Sequence, residues 1–277
     1  MIESHNLIIK IDGNNPDFLI YDVFGCEHKN KKYNNSVKIA FYSENILPDF
    51  SEADYSLSQA HIIYMDRYFK YPSFIYRLKN FLNNKVENIF QFWQNTNKTR
   101  FCGAVISNSI QSFRLEFIRQ LNKYKHVDMG GNYLNSVGGR VKNKTNFLSS
   151  YKFSIAMENS NGDGYISEKI IDSLIAGTIP IYYGNYLIDE YINPKVYILV
   201  KGKKDILDKI KYIKKIDNDE KLYNSILKEK IFINDDYMNI INQTEEEKGL
   251  FLKHIFLQSK NTSKRIEKNN DIYNCKL

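Results

Sequence analysis

The chain has 277 residues, of which 43% are hydrophobic and 14% aromatic, so it can bury a core and is not a largely disordered protein. This length predicts one large or two modest domains, and we expect two. The formal net charge of +7 suits a polyanionic partner, namely nucleic acid, an anionic membrane surface or the pyrophosphate of a nucleotide.

The first hundred residues contain short apolar runs separated by Asn, Gly and Pro clusters, a pattern typical of half an α/β domain. These runs predict three strands, namely Leu7–Ile11, Phe18–Val23 and Val37–Tyr42. A polar stretch from Glu87 to Arg100 follows. We place the boundary there, which predicts an N-terminal domain at residues 1–98 and a C-terminal domain at residues 99–277.

From Phe101 onward, apolar strand patterns and helical patterns alternate, which predicts a parallel sheet with helices on both faces. The predicted strands are Phe101–Ser107, a short strand near Val127, Lys152–Met157 and Thr178–Tyr183. The predicted helices are Ser109–Tyr124, Asn143–Ser150 and Glu168–Ala176, with further helices after Lys201. In the third helix, Ile170, Ile171, Leu174 and Ile175 fall on one face, as an amphipathic helix that ends at Gly177 requires.

The segment from Tyr151 to Gly184 joins a buried strand, a glycine-containing loop and the start of a helix. Unpaired backbone N–H groups and the helix dipole meet at such a turn, so we expect a phosphate there. Lys169, in the first helical turn, is badly placed for the dipole, which indicates an anion nearby. Glu168 has carboxylate oxygens that can accept hydrogen bonds from ribose hydroxyls.

The same segment resembles the donor-binding motif of the family 10 glycosyltransferases, the α-1,3/1,4-fucosyltransferases. The matching positions run in order through Glu158-Asn159-Ser160, Tyr165, Ser167-Glu168-Lys169 and the Gly177-Thr178-Ile179-Pro180 strand. Outside it, the resemblance includes Phe101-Cys102-Gly103, Arg114, Asp128 with Gly130, Val141 to Lys144, Ala40 to Asn45, and Asp66-Arg67-Tyr68. It covers roughly residues 15 to 240, and about ten ordered positions make it far more specific than a lone glycine motif.

The resemblance implies an α/β fold of GT-B type, in which two Rossmann-like domains face each other across a cleft and the second binds the donor. It implies that Arg114 and Lys169 hold the pyrophosphate of GDP-fucose and that Glu168 binds the ribose. Asn159 and Tyr165 would complete the donor site. We expect Arg114 and Lys169 at the cleft surface, where their replacement should spare the fold.

Glu44, at the end of a predicted strand, is the general base that the resemblance implies. The expected reaction is an inverting α-1,3-fucosyl transfer from GDP-fucose to a galactose–GlcNAc type acceptor glycan. No metal is expected, because guanidinium and ammonium groups can neutralise the diphosphate. Only 43 residues precede Glu44, where the family usually has a further strand–helix unit, so the resemblance implies a first domain that is naturally short or trimmed at its start. Neutralising the neighbouring Glu52 or Asp54 should be nearly silent.

Each of these residues also has an ordinary structural explanation. Glu44 could be a solvated carboxylate, Arg114 a surface cation, Asn159 a loop cap and Tyr165 a core side chain. Asp217-Asn218-Asp219 spells the D-x-D pattern of metal-dependent transferases, but its place between two helical stretches favours a helix cap.

Two other functions fit part of the sequence. A GT-B enzyme using a different nucleotide sugar would share the architecture. A basic nucleic-acid-binding protein would share the charge, but no lysine and aromatic cluster forms a recognisable module, so we expect no nucleic acid partner.

Cys26, Cys102 and Cys275 are too scattered for a disulfide framework or a metal site. A membrane-spanning helix needs about 18 consecutive apolar residues, and the sequence contains no such run. We therefore expect a cytoplasmic protein, with peripheral membrane contact through the basic C-terminus that begins near residue 259.

Overall fold

The structure is a computed structural model that describes residues 10–83, 93, 97–107, 112–234 and 237–258. The strands are β1 Phe18–Tyr21, β2 Val37–Phe41, β3 Tyr55–Ser58, β4 Tyr68–Lys70, β5 Arg100–Ala104, β6 Val127–Met129, β7 Tyr151–Met157, β8 Ile179–Tyr183 and β9 Ile198–Leu199. The helices are α1 Ser73–Asn83, α2 Ser112–Asn122, α3 Lys144–Leu148, α4 Lys169–Ile175, α5 Ile206–Asn218, α6 Glu220–Leu227 and α7 Tyr237–Phe256.

Internal contacts divide the chain into two compact units. Unit 1 comprises Met1–Tyr71 and Asn242–Leu277, and unit 2 comprises Pro72–Ile241. This division differs from the boundary predicted at residue 98 in two ways, because α1 already belongs to unit 2 and the chain returns to unit 1 within α7. Cys275 and the basic tail lie outside the described residues.

Unit 1 is built on a parallel sheet in the order β1-β2-β3-β4. Residues 18–70 are all described, and the connections between these strands hold only short 3-10 turns, at Glu27–Lys29 and Lys31–Tyr33. The second and third predicted strands are confirmed as β1 and β2. Of the predicted strand Leu7–Ile11, only Lys10 and Ile11 are described, and they are not in a strand.

Helix α7 packs against the sheet of unit 1, whose strand connections contain no α-helix. Its Ile255 is fully buried in a cluster with Ile39 of β2 and Leu57 of β3, and Phe251 and Phe256 pack against this cluster. Burying one such aliphatic side chain stabilises a fold by roughly 1.5–3 kcal/mol. This apolar contact explains why α7 belongs to unit 1 from Asn242 onward.

Unit 2 contains a parallel sheet in the order β6-β5-β7-β8-β9, so the alternating pattern predicted from Phe101 is confirmed. In this sheet, β6 lies on one side of β5, whereas β7, β8 and β9 follow one another on the other side of β5. The order in which the chain adds strands therefore reverses direction between β5 and β7. In sheets of this kind, ligands bind outside the carboxyl ends of the strands at such a switch point.

Helix α4 differs from the one-sided amphipathic helix that was predicted. Asp172 and Ser173 are buried together with its isoleucines and Leu174, so every residue of the helix after Lys169 is buried. Gly177, with φ of +69°, follows its end and takes the left-handed conformation that glycine adopts at no steric cost.

Within the described residues, no helix is long and apolar enough to cross a membrane. The predicted contact of the basic C-terminus with a membrane falls on residues that the structure does not describe.

Candidate active site

Arg114 of α2 lies at the switch point of unit 2. Its Nη1 atom donates to Oδ1 of Asn159 at 2.9 Å and to the carbonyl of Met157, the last residue of β7, at 3.3 Å. The side chain is only 3% exposed, so the expected surface position is wrong. Burial lowers the pKa of the guanidinium, and the nearby negative charge of Glu158 acts in the opposite direction.

Lys169 is tied to Glu158, which follows β7 directly. Its Nζ atom lies 3.0 Å from Oε2 of Glu158 and donates to Oγ of Ser167 at 3.0 Å. The same carboxylate accepts the backbone N–H of Ser167 at 2.7 Å and its hydroxyl at 2.6 Å. A fully buried carboxylate with three donors is thereby held at the start of α4.

These bonds change the argument for a phosphate at the start of α4. The backbone N–H of Ser167 is bonded to Glu158, and that of Lys169 lies 3.4 Å from the hydroxyl of Ser167. Two of the amides that were expected to face a phosphate are thus satisfied within the protein. The anion that the position of Lys169 indicated is Glu158, so this position alone does not point to a ligand.

The loop between β7 and α4 is also held by the residues that follow β8. Asn185, after β8, donates its side-chain amide to the carbonyl of Gly162 at 2.9 Å, and the backbone of Tyr165 donates to the same carbonyl at 3.1 Å. A Cβ atom on Gly184 would come within 2.3 Å of the Tyr182 hydroxyl. The loop is therefore anchored to the end of β8, where only glycine fits.

Two predicted donor residues flank this loop. The side chain of Tyr165 is buried, which matches the core-packing alternative. Glu168 takes the N-cap position of α4 and is half-buried, but its side chain makes no capping hydrogen bond. The loop thus brings Arg114, Asn159 and Lys169 to one edge of the sheet, with Glu168 beside Lys169.

Glu44 belongs to unit 1, unlike the donor-side residues. It is half-buried, three residues beyond β2. The preceding residue is held by the buried Gln59, which follows β3 and donates its side-chain amide to the carbonyl of Ser43 at 2.5 Å. The backbone carbonyl of Glu44 accepts from Ile46 at 2.9 Å. The backbone around the candidate base is therefore fixed.

Glu52 and Asp54, whose neutralisation was expected to have little effect, both make contacts within the protein. Asp54 is fully buried, and it accepts the backbone N–H of Lys38 at 2.8 Å. Glu52 binds Lys29 at 2.8 Å and lies 3.4 Å from His28. The premise of the expectation, an exposed turn, does not hold for Asp54, because its carboxylate is buried and accepts a hydrogen bond from a buried residue's backbone N–H.

The D-x-D segment serves the fold in two ways. Asp219 caps α6 by accepting the backbone N–H of Leu222 at 3.0 Å, which confirms the predicted cap. Asp217 is not a cap. It is buried and binds Lys125 at 2.5 Å and Lys152 at 3.1 Å. In the part of the chain that the structure describes, no group of three or more His, Cys, Asp and Glu residues could hold a metal ion.

Sequence reasoning missed the roles of Glu158 and Asn185. The signal for Glu158 was present, since an acidic residue directly after a buried strand needs donors, and Ser167 and Lys169 open the next helix. Asn185 carried no comparable signal, because an Asn after a glycine is also an ordinary turn residue.

Comparisons with known proteins identify similar fucosyltransferases. A sequence model of glycosyltransferase family 10 (fucosyltransferase), C-terminal region, matches residues 95–265. A model of the alpha-(1,3)-fucosyltransferase FucT N-terminal domain matches residues 1–77. Alpha-(1,3)-fucosyltransferase FucT of Helicobacter pylori is 29% identical over 243 residues, which cover 77% of this chain and 51% of that protein. The match thus spans about half the length of this relative.

Two solved structures share the fold over nearly the whole chain. A crystal structure of an alpha1,3-fucosyltransferase is 26% identical with a TM-score of 0.80, and the match covers 96% of this chain and 85% of that one. A crystal structure of alpha1,3-fucosyltransferase with GDP is also 26% identical, with a TM-score of 0.76 and coverage of 95% and 85%. The α/β fold of GT-B type is confirmed.

Proposed function

Because the chain belongs to glycosyltransferase family 10, the fucosyltransferase family, we propose that it transfers L-fucose from GDP-fucose to a galactose–GlcNAc type acceptor glycan. The observation that carries the proposal is the cluster of Arg114, Asn159 and Lys169 at the switch point of unit 2, inside the matched family region. The shared fold with a GDP-bound fucosyltransferase supports GDP as the nucleotide.

In this proposal Arg114 and Lys169 stabilise the departing diphosphate. The glycosidic bond to phosphate breaks as the acceptor oxygen attacks, so negative charge grows on GDP while the transition state forms. Two fixed cations aimed at that charge act as an electrostatic clamp. They supply the neutralisation that a divalent metal would otherwise provide, so no metal is required. Glu168 would accept hydrogen bonds from the ribose hydroxyls, and Asn159 and Tyr165 would complete the donor site.

Glu44 is the proposed general base. It would take the proton of the acceptor hydroxyl as the oxygen attacks the anomeric carbon from the face opposite GDP. The products are protonated Glu44, free GDP and a fucoside whose anomeric configuration is inverted, with an α-1,3 linkage. A half-buried carboxylate on backbone that is held by Gln59 suits this role, since a base must be positioned before its pKa matters.

The test is incubation of the protein with GDP-fucose and galactose–GlcNAc disaccharides in the presence of EDTA. Mass spectrometry should detect the addition of one deoxyhexose, and NMR should show inverted configuration and a 1,3 linkage. Parallel reactions with UDP-galactose and GDP-mannose test the alternative of a different nucleotide sugar. Product from one of these donors and none from GDP-fucose would overturn the donor assignment.

Dependence on added metal would overturn the metal-free mechanism. The alternative of a nucleic-acid-binding protein is set aside, since family membership does not support it. A cytoplasmic location and membrane contact through the C-terminus stay predictions.

A further inference from the structure

The position of Glu158 is unfavourable for a site that binds an anion. It is fully buried, and its carboxylate lies within 3.0 Å of Lys169, one of the two cations proposed to hold the diphosphate. Its charge also acts on Arg114, the other cation. A negative charge close to phosphate-binding cations repels the ligand, and burial of the carboxylate is itself costly. Its presence therefore calls for a compensating role.

The carboxylate is fixed by its surroundings and fixes its neighbours in turn. The backbone N–H of Glu158 donates to the carbonyl of Tyr183 in β8 at 2.8 Å. A Cβ atom on Gly184 would lie 2.8 Å from Cγ of Glu158, so the glycine leaves just enough space for this side chain. Ser167 and Lys169 are both bonded to the carboxylate.

Lys169 has a long, flexible side chain that would otherwise sample many rotamers. Fixing it costs conformational entropy, which a charge-assisted hydrogen bond can offset before the ligand arrives. Its side chain is 18% exposed, so the tether leaves part of it accessible.

We propose that Glu158 is a positioning residue that holds Lys169 toward the departing diphosphate, at the expense of ground-state affinity for GDP. This inference rests on the proposed function. Its signature is a split between binding and rate. Removing a group that only stabilises the fold would lower rate and affinity together, whereas removing a positioning anion lowers the rate and leaves GDP affinity equal or higher.

The first experiment needs no substrate. Reductive methylation with formaldehyde, read by mass spectrometry of the peptide that contains Lys169, reports how freely its amine reacts. In Glu158→Gln the tether is lost, and the labelling rate of Lys169 should rise about threefold or more, while Lys125 serves as an internal reference. An unchanged rate would show that Glu158 does not restrain Lys169 and would overturn the inference, whatever the enzyme's substrate.

The second experiment compares turnover with GDP affinity in Glu158→Gln. We expect turnover to fall by at least about tenfold and GDP to bind as tightly as in the parent or more tightly. Asp172→Asn is the matched control, because Asp172 is a buried carboxylate of α4 that pairs with Arg77 at 2.7 Å and Lys144 at 2.9 Å, not with Lys169. Parallel losses of affinity and turnover that track the melting temperature, as in that control, would overturn the inference.

A double-mutant cycle shows whether Glu158 acts through Lys169. In a Lys169→Met background, Glu158→Gln should change turnover by less than about threefold, because the group that it positions is gone. An undiminished effect would overturn the inference.

Ser167→Ala is a smaller perturbation, because it removes one hydroxyl that is bonded to both Glu158 and Lys169. We expect it to lower turnover less than Glu158→Gln does and to leave GDP affinity equal or higher. If the parent binds no GDP, the proposed function fails instead, and the labelling experiment still decides the tether.

Discussion

The Nη1 atom of Arg114 lies 2.9 Å from Oδ1 of Asn159, which joins helix α2 to the loop that follows β7. The same atom donates to the carbonyl of Met157 at 3.3 Å. These two bonds fix the direction of the guanidinium plane at the carboxyl edge of the sheet. A lysine ammonium could donate both bonds from its one nitrogen, but it would have no second nitrogen for a bidentate contact with a phosphate, which a guanidinium offers.

Arg114→Lys should therefore lower kcat/KM for GDP-fucose by at least about tenfold, even though the charge is kept. Because the side chain is buried, the melting temperature should fall as well, in contrast to the sequence-based expectation. Initial rates at varied donor concentration and thermal melting measure the two effects. Arg119→Lys is the control, since Arg119 lies on the same helix in an exposed pair with Glu116. Donor kinetics within about twofold of the parent would contradict the assignment.

Much of unit 2 could be predicted from local pattern. Strand β7 was predicted as Lys152–Met157 and begins one residue earlier, and the predicted end of the next helix at Gly177 is correct. Apolar runs bounded by glycine and polar residues carry this information within a few positions of each element.

Long-range pairing could not be predicted in the same way. The bond between Lys169 and Glu158 joins residues 11 positions apart across a loop whose path depends on Asn185. Helix α7 packs on β2 across some two hundred residues, and no local pattern shows which sheet a helix will cover. The burial of Arg114 likewise follows from the placement of β7 rather than from its own helix.

Asp217→Asn should destabilise unit 2 without affecting catalysis. Burial raises the pKa of this carboxyl group, but Lys125, Lys152 and Tyr124 together outweigh that effect and lower it below its usual value. The ionised form therefore stabilises the fold above about pH 4, and this stabilisation is lost as the pH falls through the lowered pKa.

Urea unfolding at neutral pH should show a loss of about 1–3 kcal/mol in Asp217→Asn, which shrinks in acid. Turnover in EDTA should match that of the parent. Asp219→Asn is the control, because Asn caps a helix about as well as Asp. If turnover instead requires a metal ion and is lost in Asp217→Asn, the Asp217-Asn218-Asp219 segment binds the metal as in metal-dependent transferases.

Because of Lys98, the free energy of unfolding should increase as the pH rises above neutral. Its ammonium donates to the carbonyls of Ser149 and Ala176 at 2.7 and 3.0 Å, and burial lowers its pKa from 10.5 to about 8. The unfolded chain then holds more protons between these values, so the free energy of unfolding increases with pH across this window. Relative to Lys98→Gln, the parent should gain about 1–2 kcal/mol between roughly pH 7 and pH 10, measured by urea unfolding. A constant difference would show that burial does not perturb this lysine.

Glu44→Ala tests the proposed base. A positioned general base contributes about 10² to 10⁴ in rate, so turnover should fall at least about a hundredfold, while GDP affinity measured by calorimetry changes little. Affinity is spared because Glu44 belongs to unit 1 and the proposed diphosphate cations belong to unit 2. Glu27→Gln is the control, since this carboxylate is 76% exposed in the same unit and pairs only loosely with Lys32, at 3.7 Å. If Glu44→Ala retains turnover within a few-fold of the parent, Glu44 is an ordinary carboxylate after a strand, and the base must be another group.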